Sequence, residues 1–138
     1  MLHPLLLREL LDDELQVATS RLGTRAEQLH HDGRYVRCRI NGSGGQPLWL
    51  RLDAATYDRD PCGVDVCDDD GATAPHDAWP SGLSHGIHPV HQRPWVCARG
   101  TAEYFTYPGH HSERWDAYRA TLRIADLLDH LLRRAGRP

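Results

Sequence analysis

The sequence predicts an α+β domain, and three runs of residues predict it. After Pro4, the apolar residues Leu7, Leu11, Leu15, Ala18 and Leu22 recur every three or four positions, the spacing of one helical face. Between Tyr35 and Cys67 the period falls to two, the pattern of half-buried strands. From Trp115 to about Arg134 the helical spacing returns at Tyr118, Leu122, Ala125, Leu128 and Leu132. Strands gathered between two helices imply helices packed on one face or end of an antiparallel sheet.

Each element follows in order. Pro4 suits the first turn of a helix, and Gly23 ends it. Tyr35, Arg37 and Arg39 alternate with Val36, Cys38 and Ile40 to make a first strand. The run Asn41-Gly42-Ser43-Gly44-Gly45 is a turn, and Leu48, Leu50 and Leu52 alternate with Trp49 and Arg51 in the returning strand of a hairpin. Tyr57 to Cys62 reads as a crossing loop. Val64, Val66 and Cys67 read as a third strand, closed by Asp68-Asp69-Asp70-Gly71. Residues 71 to 94 hold Pro75, Pro80, Pro89 and Pro94 with His76, His85, His88 and His91, so only a short strand near Ile87 is expected there. A further strand is expected at Tyr104 to Tyr107. Ser112 is the expected N-cap of the last helix, which Gly136 ends.

Composition narrows the function. At 138 residues with 40% apolar and 25% charged residues, the chain fits one soluble domain spanning 1–138. No run approaches the roughly 20 apolar residues of a membrane helix. The opening Leu5-Leu6-Leu7 lacks a basic leader and a small-residue cleavage site, so a cytoplasmic protein is expected. A net charge of −3 argues against nucleic acid as the main partner. All 16 basic residues are Arg and none is Lys. A GC-rich genome is the favoured explanation; the other is that an enzyme handling acyl thioesters gains by offering no side-chain amine to its own intermediate.

The cysteines are Cys38, Cys62, Cys67 and Cys97. Cytosolic thiols stay reduced, and one close pair, Cys62 and Cys67, does not supply a four-cysteine zinc site. Cys38 and Cys67, on strands, are expected in the core. Cys97 differs: it ends the apolar run Pro94-Trp95-Val96-Cys97, nine residues beyond His88-Pro89. A thiol so placed among histidines points to a nucleophile.

Three anchors, in order, resemble the ubiquitin-conjugating-enzyme family, in particular its diverged bacterial members. Leu48-Trp49-Leu50-Arg51-Leu52 with Tyr57, Pro61 and Val64-Asp65-Val66 is similar to the family's strand, Tyr-Pro-x-x-Pro-Pro loop and next strand. His88-Pro89-Val90 followed by Val96-Cys97 is similar to its His-Pro-Asn and active-cysteine segment. Trp115 with Thr121-Leu122, Ile124 and Leu127-Leu128 is similar to its tryptophan and following helix. The likeness covers roughly residues 34 to 134. The chain departs from the pattern at Val90, where the family has Asn, at Asp58 and Cys62, where it has Pro, and in the insertion from Ala98 to Arg114.

The resemblance implies an N-terminal helix, an antiparallel sheet of about four strands, an active-site loop and a C-terminal helix. It implies a transferase with Cys97 as acyl carrier, a ubiquitin-like modifier and an adenylating activating enzyme as partners, and no cofactor. With Val90 unable to donate, the supporting roles fall to His88, His91, Tyr104 or a histidine of the insertion, and Glu103 would orient a histidine or deprotonate the incoming amine. A second family likeness uses the same segment. Cys97, Glu103, His110 and His111 resemble the Cys-Glu-His-His set of a metal-binding family from bacterial ubiquitin-like gene clusters, which implies zinc. A third reading is a catalytically inactive docking module of the same fold.

Overall fold

The computed structural model describes residues 2–136. An N-terminal helix, an antiparallel sheet and a C-terminal helix appear in the order that the residue spacing predicts, and the sheet has four strands. Helix α1 (Pro4–Leu22) starts with Pro4 in its first turn and with His3 Nδ1 accepting the Leu5 N–H at 3.1 Å. It ends at Gly23, whose φ of +55° is a conformation side-chain-bearing residues rarely adopt.

The sheet is a meander of β1 (His30–His31), β2 (Tyr35–Asn41), β3 (Pro47–Asp53) and β4 (Gly63–Cys67), each strand paired with the next. The register sets Val36 opposite Leu52, Cys38 opposite Leu50 and Ile40 opposite Leu48, so one face is continuously apolar. Val64 and Val66 extend it. Leu7, Leu11, Leu15, Ala18 and Leu22 of α1 share this core with Ile124, Ala125, Leu127, Leu128 and Leu131 of the C-terminal helix. Burying each such Leu contributes about 2–3 kcal/mol.

The opposite sheet face is polar and cationic. Tyr35 is ringed by Arg34, Arg37 and Arg51, each guanidinium 4.6–5.2 Å from the ring centre, and Arg39 covers Trp49 at 4.5 Å. Cys67 is buried on this face beside Asp65, and burial with the Asp65 charge pushes its thiol up to about 12.

Three expectations change. Tyr104 to Tyr107 is not a strand: α2 (Ala102–Thr106) forms there, because Thr101 Oγ1 accepts the Tyr104 N–H at 3.1 Å and caps a turn. The C-terminal helix α3 (Ile124–Ala135) begins nine residues later than Trp115, and Ser112 does not cap it. Arg123 does, its N–H held by the Asp126 carboxylate at 2.9 Å, while Trp115 sits in a separate turn and donates its indole N–H to the Asp58 carbonyl at 3.0 Å. The pair His30-His31 adds a short edge strand that alternation over two residues does not signal.

A buried polar link ties α1, the crossing loop and α3 together. Tyr57 donates its hydroxyl to Glu14 Oε1 at 2.6 Å, Arg123 reaches the same oxygen at 2.7 Å, and Arg123 also contacts Asp58 at 3.1 Å. Asp58 thus anchors two arginines of the C-terminal segment, Arg119 and Arg123.

Candidate active site

The chain reaches Cys97 through a small hairpin. His85 donates to the Trp95 carbonyl at 3.1 Å and His88 to the Arg93 carbonyl at 2.9 Å, with Ile87 bridged to Pro94. Trp95 and Val96 are buried, and Cys97 emerges half-buried. Arg134, near the end of α3, holds this exit: its Nη1 donates to the Cys97 carbonyl at 2.8 Å and its Nε to the Gly82 carbonyl at 2.8 Å.

Beyond α2 the insertion closes in successive tight turns. His110 donates its N–H to the Tyr107 carbonyl at 2.9 Å, and Glu113 to the His110 carbonyl at 3.0 Å. These turns place residues three apart on one side, so His110 and Glu113 face the same way. Glu113 Oε2 lies 3.1 Å from His110 Nδ1, and His110 Nε2 lies 3.8 Å from Cys97 Sγ.

The order of groups assigns the protons. The Tyr104 hydroxyl first, and then Arg99, lower Glu113 below its ordinary carboxylate value, so at neutral pH it is an acceptor only. His110 Nδ1 therefore carries the hydrogen, and Nε2 presents a lone pair to the thiol. Glu113 is saturated. Oε2 also accepts the Tyr104 hydroxyl at 2.6 Å, while Oε1 accepts Arg99 at 3.0 Å and the Tyr118 hydroxyl at 3.3 Å. Burial raises the Cys97 thiol above its ordinary value, against a lowering by Arg134, so at neutral pH Cys97 rests as a thiol. A thiol, an imidazole and an anionic carboxylate in that line are the parts of an activated cysteine.

Comparison with protein-family models and with curated proteins gives no match.

The other expected site residues go elsewhere. His88 is fully buried, and its Nδ1 accepts the N–H groups of Val90 and His91 at 3.1 and 3.2 Å. Its Nε2–H then donates to the Glu103 carbonyl at 2.9 Å, so every polar atom of His88 is spent on backbone and it pins the loop. His91 reaches Thr106 Oγ1 at 2.9 Å, and burial followed by the nearby His88 and Arg93 lowers it. Glu103 is 2% exposed, with the Val64 N–H at 2.8 Å and Arg93 at 2.9 Å on its carboxylate. These three residues form one network with Arg93 and Thr106, separate from the Cys97–His110–Glu113 line.

Glu103 also borders an open cleft of about 710 Å³ on the polar side of the sheet, together with Tyr35, Arg51, Asp65, Arg93 and Trp115. Cys97 does not line it. Of its charged groups, Arg51 pairs with Asp65 and Arg93 with Glu103, while Asp53 and Asp60 pair with Arg34 and Arg59 outside its lining.

The four residues of the zinc reading do not converge either. Cys97 and His110 meet, but Glu103 is committed to Val64 and Arg93, and exposed His111 bonds the Pro108 carbonyl through Nδ1 at 3.0 Å. Among the described residues no group of three or more His, Cys, Asp or Glu side chains is placed to hold a metal ion.

Glu113 is the residue that inspection of the sequence passes over. Its signal is the His110-x-x-Glu113 spacing in a Pro-Gly-containing segment, where a tight turn sets residues i and i+3 side by side.

Proposed function

We propose that the chain is a cysteine-dependent acyl-transfer enzyme of the ubiquitin-conjugating type, in which Cys97 carries the C-terminal acyl group of a ubiquitin-like modifier as a thioester in a bacterial modification pathway. The observation that carries this reading is the Cys97–His110–Glu113 line. The order of helix, meander, cysteine-bearing loop and helix, with the three sequence anchors, supports the family.

In the loading step His110 Nε2 takes the Cys97 proton as sulfur attacks the carbonyl carbon of the incoming thioester. A new C–S bond forms, the donor's C–S bond breaks, and the departing thiolate takes the proton back from His110. Glu113 holds the imidazole in the required tautomer and stabilises its transient positive charge. The thiol is half-buried, whereas the three other cysteines are buried.

The test uses a small donor, the mercaptoethanesulfonate thioester of N-acetylglycine, at neutral pH. The expected result is one acyl adduct on Cys97 by intact mass, labile to hydroxylamine and absent in Cys97→Ala. A chain whose Cys97 is alkylated by iodoacetamide yet never acylated by this donor is an inactive docking module, and the proposal fails.

A further inference from the structure

Resting on that reading, we propose that the acceptor of the acyl group on Cys97 is an oxygen nucleophile, a hydroxyl or water, with His110 as its general base. Once Sγ is acylated it has no proton to give, yet the imidazole stays. Glu113 still orients Nδ1, so the Nε2 lone pair faces the thioester. A base beside a loaded thioester matters very differently to the two acceptor classes. A neutral amine attacks unaided, because the ammonium adduct survives long enough to lose its proton afterwards. A hydroxyl cannot, because its protonated adduct is far too acidic; the proton must leave as the C–O bond forms.

The structure invests heavily in that base. Glu113 is fixed by Tyr104, Arg99 and Tyr118, and Tyr104 also stacks on the imidazole with ring centres 3.9 Å apart. The carboxylate expected to serve an amine acceptor, Glu103, is instead buried in another network. The chain itself carries no Lys, so a loaded Cys97 meets no side-chain amine of its own.

The step balances. Oxygen attacks the carbonyl carbon while its proton passes to His110 Nε2, and the carbonyl electrons move onto the oxyanion. Collapse breaks the C–Sγ bond and His110 returns the proton to Cys97. The product is an ester from a hydroxyl, or a free acid from water.

The experiment separates the two half-reactions. Cys97 is acylated with the same N-acetylglycine thioester at mildly alkaline pH, where thiolate forms without a base, and excess donor is removed. At neutral pH, loss of the adduct is followed by intact mass in buffer alone, with N-acetylthreonine amide and with N-acetyllysine amide. Ester or free acid is expected to dominate over amide, and His110→Asn should slow oxygen transfer by about 10²–10⁴-fold while lysine reacts at the wild-type rate. Glu113→Gln, which keeps shape and most hydrogen bonds, should lower the same rates less. A threonine ester assigns a hydroxyl acceptor; free acid alone assigns water. Dominant transfer to lysine, or oxygen transfer indifferent to His110, overturns this inference and leaves the loading reaction standing. A chain that never acylates overturns both.

Discussion

Tyr104 lies flat against His110, the rings 13° from parallel with centres 3.9 Å apart, and the same side chain donates its hydroxyl to Glu113 Oε2 at 2.6 Å. One residue thus fixes both the imidazole and the carboxylate that faces it. Tyr104 is able to do so because Thr101 caps α2 beneath it and its ring is buried.

Tyr104→Phe keeps the stack and removes the hydroxyl. Because that hydroxyl is the largest cause of the depressed Glu113 pKa, its loss lets Glu113 protonate at higher pH. The acid limb of the Cys97 acylation profile is expected to move upward in pH. Tyr104→Leu loses the stack as well, and acylation should fall by about 10²-fold. Stopped-flow acylation between acid and neutral pH checks both, and an unchanged acid limb in Tyr104→Phe would show that Glu113 does not act through His110.

Native alkylation should modify one cysteine. Cys38, Cys62 and Cys67 are at most 1% exposed, and burial pushes Cys38 to about 11 and raises Cys62 further, whereas Cys97 is half-exposed. Its rate should climb with pH without levelling near neutrality, since burial lifts its own thiol. Peptide mapping after iodoacetamide tests this; modification at Cys62 would mean that the core opens.

Gly82 and Arg134 meet too closely for any side chain on Gly82, whose added Cβ would collide with the Arg134 carbonyl. Gly82→Ala is expected to destabilise the fold by about 1–3 kcal/mol in urea unfolding. Arg134→Ala keeps the glycine but frees the Cys97 and Gly82 carbonyls. It should quicken Cys97 alkylation and slow acylation, because the thiol loses its fixed exit from the core.

Glu103 sets a pH dependence of stability. Burial raises its pKa above the ordinary 4.5, so the folded state holds its proton to higher pH than the unfolded chain does. Its contribution is complete below 4.5 and is lost as pH rises through the folded value. Glu103→Gln should remove that slope. Glu103→Ala should cost about 1–3 kcal/mol by leaving the buried Val64 N–H unpaired. Urea titrations at several pH values report the slope, and identical slopes in wild type and Glu103→Gln would refute the assignment.

Much of the fold is legible along the chain. The faces Leu7 to Leu22 and Val36 to Leu52 report burial directly, because helical and strand periods repeat over enough residues to average out exceptions. Trp115 and Tyr104 mislead for the same reason. Trp115 matches a helical face but is captured by the Asp58 carbonyl, and Tyr104 has strand propensity but follows the Thr101 cap. In both, one hydrogen bond to a partner outside the local pattern outweighs a weak propensity. Cys97 stands out in the sequence as a thiol that ends an apolar run beside histidines, and His110 as a histidine of the insertion. Glu113 does not, since its partners Tyr104, Arg99 and Tyr118 converge only in three dimensions.

The sequence by itself determined the helix–sheet–helix order, the hairpin, the core face of each strand and the singular position of Cys97. These are fixed by patterns within one element, where neighbours in sequence are neighbours in space. Only the tertiary structure decided that His88 pins a loop, that Glu103 faces Val64 and Arg93, and that His110 and Glu113 complete the line to Cys97. Hydrogen-bond partners in an irregular segment depend on where the chain turns back, and single-residue spacing carries no record of that.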